Sequence, residues 1–125
     1  MRYTVFQFKL SRAARDAVNS LGWTDAMKQF PEVEIQLNVS FSGGSEGFSA
    51  WMSKYYEAVC NIDADTLDGV FHIGNMGPEE SIERLGKMHS VSVGDVIRDN
   101  DLGTYYMVDA EGFTQLLSFM VKEAA

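Results

Sequence analysis

The chain has one cysteine, two prolines and two histidines among 125 residues. The single cysteine, Cys60, excludes an internal disulfide and fits a reducing cytoplasm. No apolar run approaches the roughly 18 residues that a membrane-spanning helix needs. The opening MRYTVFQFKL lacks the long apolar stretch and small-residue cleavage site of a signal peptide. Basic residues are scarce: 10 Lys and Arg stand against 18 Asp and Glu, a net charge of −8. An acidic chain repels phosphate backbones, so direct nucleic-acid binding is not expected.

Apolar material is plentiful. Hydrophobic residues make up 46% of the chain, with two Trp, five Tyr and eight Phe, which is enough for a core of one domain spanning 1–125. The patterning predicts an α+β domain with a mixed or antiparallel sheet and helices packed on one face. Tyr3 to Leu10 alternates like a first strand. Ser11 then caps a helix that carries Ala13, Ala14, Ala17, Val18 and Leu21 and stops at Gly22. Thr24 is the expected cap of a second short helix, Asp25 to Phe30, halted by Pro31. Val33, Ile35, Leu37, Val39 and Phe41 alternate with polar residues and predict a strand with its odd-numbered side chains buried. Ser42 to Gly47 reads as a flexible loop. Phe48 to Tyr55 fits a short helix or the start of a strand. Tyr56 to Ile62 reads as a strand, followed by a helix through Leu67, Val70, Phe71 and Ile73 capped by Asp63 or Asp65. Pro78 to about Leu85 is expected as a further helix, and Gly112 to Ala125 as a last one that buries Phe113, Leu116, Leu117 and Met120.

The stretch from His89 to Leu116 carries the most recognisable pattern. Val91 and Val93 alternate with Ser90 and Ser92 as on a strand. Gly94 and Asp95 turn the chain, Val96 and Ile97 resume the apolar run, and Asp99 to Gly103 is a dense turn cluster. Thr104 to Val108 is the returning strand. His89, Ser90, Ser92, Val93, Asp95, Val96 and Ile97, then Tyr105, Tyr106, Val108, Asp109, Gly112 and Phe113, make the chain resemble the YodL-type domain family. Met107 departs from that pattern, as an insertion that predicts a bulge. The resemblance covers about residues 55–117. It implies an accessory protein of a phage, plasmid or other bacterial mobile element, and it brings no biochemical activity with it.

The candidate chemistry is weak beside its structural alternatives. The Gly-rich loop at 42–47 lacks the Gly-Lys-Ser/Thr end of a phosphate loop. Asp99, Asp101 and Gly103 resemble the start of a calcium loop, but Thr104 and Ala110 stand where Gly and Glu are required, so a hairpin turn is expected. Cys60, His72 and His89 match no zinc spacing, and whether they converge in space is open. No catalytic residue, metal or cofactor is assigned.

What remains is a surface. From Asp63 to Glu111, 11 carboxylates face only Arg84, Lys87 and Arg98. Asp63, Asp65, Asp68, Glu79, Glu80 and Glu83, together with an aromatic anchor at Trp51 and Tyr55, are the candidate partner-binding residues. Ordinary solubilising charge and core aromatics are the plain alternatives. The expected function is a non-enzymatic accessory protein that binds and modulates a host or defence protein in the host cytoplasm, with an anti-defence inhibitor as one form of it. Mimicry of nucleic acid is a minor version of that reading. A self-assembling or homodimeric structural protein is the alternative, with a small hydrolase third.

Overall fold

The computed structural model describes residues 2–41, 48, 50–117 and 119, with the backbone alone at 38–41, 50 and 51. Among the described residues six strands form one antiparallel sheet: β1 (Tyr3–Phe8), β2 (Tyr56–Ile62), β3 (Ile82–Arg84), β4 (Val96–Asp99), β5 (Thr104–Val108) and β6 (Phe113–Leu116). Their order across the sheet is β3-β2-β1-β4-β5-β6, so the first strand sits inside it between β2 and β4. Four α-helices among the described residues accompany the sheet: α1 (Arg12–Leu21), α2 (Trp23–Gln29), α3 (Pro31–Phe41) and α4 (Leu67–Met76). The protein is thus the α+β domain that the sequence predicts, with an antiparallel sheet.

The expected packing of helices on one face is corrected: α4 lies on one face of the sheet and α3 on the other. Tyr3, Val5, Cys60, Ile62, Ile97 and Val108 point to one face, where Val70, Leu67 and Ile73 of α4 cover them. Phe6, Phe8, Tyr56, Val96 and Met107 point to the other, beneath Ile35 of α3 and Phe119. Because both faces are covered, every residue of β1 is buried, the polar Thr4 and Gln7 included. Behind α3 a third cluster of Ala14, Ala26 and Val33 joins α1, α2 and α3.

Several boundaries follow local chemistry. Ser11 caps α1, its hydroxyl accepting from Ala14 N, an arrangement worth about 1 kcal/mol. Gly22 ends that helix at φ +81°, a conformation that costs side-chain-bearing residues dearly. The Asp99 carboxylate accepts from the N–H groups of Asp101 and Leu102, so the Asp99–Gly103 cluster is the side-chain-bonded hairpin turn.

Other expectations are corrected. The segment from Val33 to Phe41 is helix α3. Residues two apart on a helix lie about 200° around its axis. Val33 therefore enters the helical cluster and Ile35 the sheet-side cluster, on nearly opposite sides. Burial from two sides imitates strand alternation. Pro31 starts α3 at a position where its missing N–H costs nothing, and Glu32 and Glu34 favour the positive end of the helix. The second helix begins at Trp23 after Gly22, and Thr24 is not its cap.

Thr66, not Asp63 or Asp65, caps α4, its hydroxyl accepting from Gly69 N. After Pro78 there is only a three-residue 3₁₀ turn, Glu79–Ser81, before β3. Residues 89–93 are not a strand, for a reason given below. Met107 makes no bulge. It pairs regularly with Val96 and Thr114 and is fully buried. The irregularity lies between Val5 and Phe6 of β1, whose partners skip Val59, and Val59 turns to the same face as Cys60. Phe113–Leu116 is strand β6 rather than helix: Phe113 and Leu116 pack on opposite faces, as strand neighbours three apart must, and Leu117 is exposed. The loop at 42–47 and the expected helix beyond residue 119, Met120 included, lie outside the described residues.

Candidate functional site

The short edge strand β3 gathers the acidic residues. Its register against β2 sets Asn61 opposite Glu83 and Ile62 opposite Ile82. Just past this ladder the Asp63 N–H donates to the Ser81 carbonyl at 2.9 Å. Two acidic runs on either side of α4 thereby meet at one edge of the sheet. Asp63, Asp65 and Asp68 lie where β2 leads into α4, and Glu79, Glu80 and Glu83 lie along β3 and the turn before it. All six are exposed. The cation beside them is Arg84, whose guanidinium meets Glu79 at 2.7 Å; that hydrogen bond holds the Glu79 carboxyl below its ordinary value. Arg2 donates to the Asp65 carbonyl, but its charge also lies 3.4 Å from Asp101 and 3.9 Å from Asp99.

Glu83 is fixed more firmly than an ordinary surface carboxylate. Arg98 Nε donates to Asn100 Oδ1 (2.7 Å), and Asn100 Nδ2 donates to Thr4 Oγ1 (2.9 Å). Thr4 Oγ1 donates to Asn61 Oδ1 (2.6 Å), and Asn61 Nδ2 donates to Glu83 Oε1 (2.8 Å). The shorter contacts donate in one sense, from a cation on β4 to an anion on β3, and Thr4 Oγ1 also lies 3.3 Å from Asn100 Oδ1. Bonds aligned this way polarise one another. Glu83 is therefore oriented before any partner arrives, which lowers the ordering cost of binding.

The aromatic part of the expected surface is arranged differently. Tyr55 ends a 3₁₀ helix, Ala50–Tyr55, and its ring stacks on Phe8 at 5.4 Å with Lys54 Nζ 5.1 Å above it. It is half-buried against the sheet-side cluster. The Trp51 side chain lies outside the described residues.

A second polar constellation, which the sequence did not single out, lies under the 85–95 loop. Gln7 is fully buried, and Asp95 nearly so. The Gln7 carboxamide accepts from His89 N (3.2 Å) and donates to His89 O (2.9 Å) and to Asp95 Oδ2 (3.0 Å). Both Gln7 amide hydrogens are thus used. His89 Nδ1, 2.7 Å from the Ser90 carbonyl, carries the proton that this oxygen accepts. Asp95 Oδ2 also accepts from Ser92 N. Lys9 Nζ donates to Lys87 O, Tyr56 Oη to Gly94 O and Asn75 Nδ2 to Val91 O. Gly74 leaves room for Val91: a Cβ there would stand 2.3 Å from its methyl group. Side chains thus hold the loop in place of a strand ladder. Burial pushes the Asp95 carboxyl up to about 6, opposed by the Ser92 N–H, His89, Gln7 and Lys9. Tyr56 is likewise raised, by burial and then by Asp95. The one local mark is Gln7, a polar residue inside a mostly apolar strand run; Asp95 stands in the turn before β4, and nothing local shows that the two meet.

Cys60 is buried at the middle of β2, and burial pushes its thiol up to about 11, which disfavours the nucleophilic thiolate. His72 and His89 are exposed. Among the described residues no group of three or more His, Cys, Asp and Glu is placed to hold a metal ion, and no helix is long and apolar enough to cross a membrane. Compared with protein-family models, curated proteins and solved structures, the chain matches none.

Proposed function

We propose that the protein is a non-enzymatic binding module that presents its acidic β3 edge to a basic surface on another protein. One observation carries this reading: the Asp63–Ser81 hydrogen bond joins two acidic runs into a single exposed edge, with Glu83 pre-oriented on it. Exposed charges of one sign steer encounter and can raise association rates by about ten- to a thousandfold. The resemblance to the YodL-type family supports a setting in a phage or mobile element. The partner is then a host or defence protein in the cytoplasm, and the effect of binding is inhibition. A net charge of −8 is too dilute for general mimicry of DNA, which carries one charge per about 1.7 Å of axis. A specific basic protein surface is the better fit.

Affinity capture from host lysate identifies the partner, and surface plasmon resonance at two salt concentrations then tests the edge. Association is expected to slow as salt rises, because screening shortens the reach of charges to about 8 Å at physiological ionic strength. Reversing Glu79, Glu80 and Glu83 together to Lys is expected to cut the association rate at least about tenfold without unfolding the chain. A captured partner whose association ignores both salt and the triple reversal would defeat the proposal.

A further inference from the structure

The two edges of the sheet differ in chemistry. At β3 the carboxylates Glu79, Glu80 and Glu83 guard a strand of three residues, a common defence against unwanted strand pairing. At the opposite edge, β6 and the residue after it read Phe-Thr-Gln-Leu-Leu, without a charge.

The backbone direction at this second edge follows from its neighbours. Asp109 N donates to Gly112 O, closing the β5–β6 hairpin. Val108 N donates to Asp95 O and Gly94 N donates to Val108 O, so the Val108 backbone faces β4. Antiparallel pairs alternate between bonded and unbonded. With Met107 opposite Thr114 and Tyr105 opposite Leu116, Thr114 and Leu116 bond to β5. The N–H and C=O groups of Phe113 and Gln115 therefore point away from the sheet, and among the described residues β6 has no second strand partner.

We infer that β6 is a self-association edge, at which two copies of this chain pair antiparallel about a two-fold axis through Gln115. A second copy is the favoured occupant on register, because the edge is complementary to itself, and charge decides only which edge is used. A basic partner is drawn to the acidic edge at β3, whereas a chain of net charge −8 meets its own copy with least repulsion where both are neutral. The register also provides for an otherwise unexplained side chain. Leu117 is 98% exposed, the most exposed large hydrophobic among the described residues. Pairing centred on Gln115 sets Leu117 of each copy beside Phe113 of the other on one face, a closed and self-complementary arrangement. The result is a continuous twelve-stranded sheet with an acidic edge at each end. The assignment of occupants leans on the proposed partner binding at β3, but the pairing uses the opposite edge and its test reads that edge alone.

Pairing over so short an edge is small beside standard interfaces, so the dimer is expected to depend on concentration. Sedimentation equilibrium of the full chain over a wide concentration range should show the mass rising from one chain towards two. Leu117→Lys alters a side chain that is exposed in the monomer, and Gln115→Pro removes an N–H that points outward. Each should keep the fold by circular dichroism and weaken association about tenfold or more, the loss expected when an interface leucine or its ladder bonds are removed. Reversal of Glu79, Glu80 and Glu83 to Lys should leave the dimer intact. A wild-type mass of one chain at every concentration would overturn the inference, as would a dimer that survives both β6 substitutions or falls apart on reversal at β3.

Discussion

The side chain of Gln7 does for His89 what a neighbouring strand would do. Its carbonyl oxygen takes the His89 N–H, and its amide group takes the His89 carbonyl. The two residues lie 82 positions apart, yet their bonds copy one rung of a β-ladder. This is why 89–93 has strand-like alternation but no strand: the backbone demand is met by side chains projecting from β1. The requirement that buried polar groups find partners is satisfied either way.

Gln7→Ala should therefore release the loop. The substitution removes three hydrogen bonds, leaves the His89 backbone groups without their partner, and takes one donor from the buried Asp95. A loss of about 2 to 3 kcal/mol is expected, from unsatisfied groups at roughly 1 to 3 kcal/mol each. Hydrogen exchange gives the specific readout: the His89 amide should exchange much faster in the variant under conditions where β1 and β2 stay protected. Unchanged protection at His89 would show that Gln7 does not hold the loop.

Asp95 sets a pH dependence of definite sign. Burial raises its carboxyl to about 6 in the folded protein, against about 3.9 in an unfolded chain. The folded state therefore binds this proton more tightly. The stabilisation is fully present below about pH 4 and is lost as pH rises through about 6. Asp95→Asn retains an oxygen to accept from Gln7 and Ser92 and removes the titration. Relative to wild type, it should gain roughly 2 to 3 kcal/mol between pH 4 and pH 7, at about 1.4 kcal/mol per pKa unit. Urea titrations of both proteins at several pH values measure the difference. A gap that stays constant from pH 4 to pH 7 would mean that Asp95 is ordinary in the folded state.

Much of the frame was legible in the sequence because local chemistry decides it. Strand β1, the Ser11 cap, the Gly22 stop, strand β2 with both bounds and the Thr104–Val108 strand follow from alternation and turn residues. What escaped depends on contacts distant in sequence. The Gln7–His89–Asp95 clasp joins β1 to a loop about eighty residues on, and no local pattern announces it. The acidic residues were legible one by one. Their meeting at one edge rests on the Asp63–Ser81 bond and the β2–β3 register. Phe113 to Leu116 read as a helix because Phe113, Leu116 and Leu117 fit helical spacing, but its pairing with β5 prevails.

The segment that alternates like a strand and folds as a helix provides the last test. In α3, Val33 packs against Ala14 and Ala26, whereas Ile35 packs against Phe6, Phe8 and Phe119 on the far side. On a strand the same two residues would share one face and touch the same neighbours. A double-mutant cycle distinguishes the arrangements. Val33→Ala should cost about 1.5 to 3 kcal/mol and Ile35→Ala about 2 to 5. Because the two cavities open in separate clusters, the costs should add to within about 0.5 kcal/mol. A coupling of about 1 kcal/mol or more would mean that both side chains fill one space, and the two-sided burial that explains this helix would then be wrong.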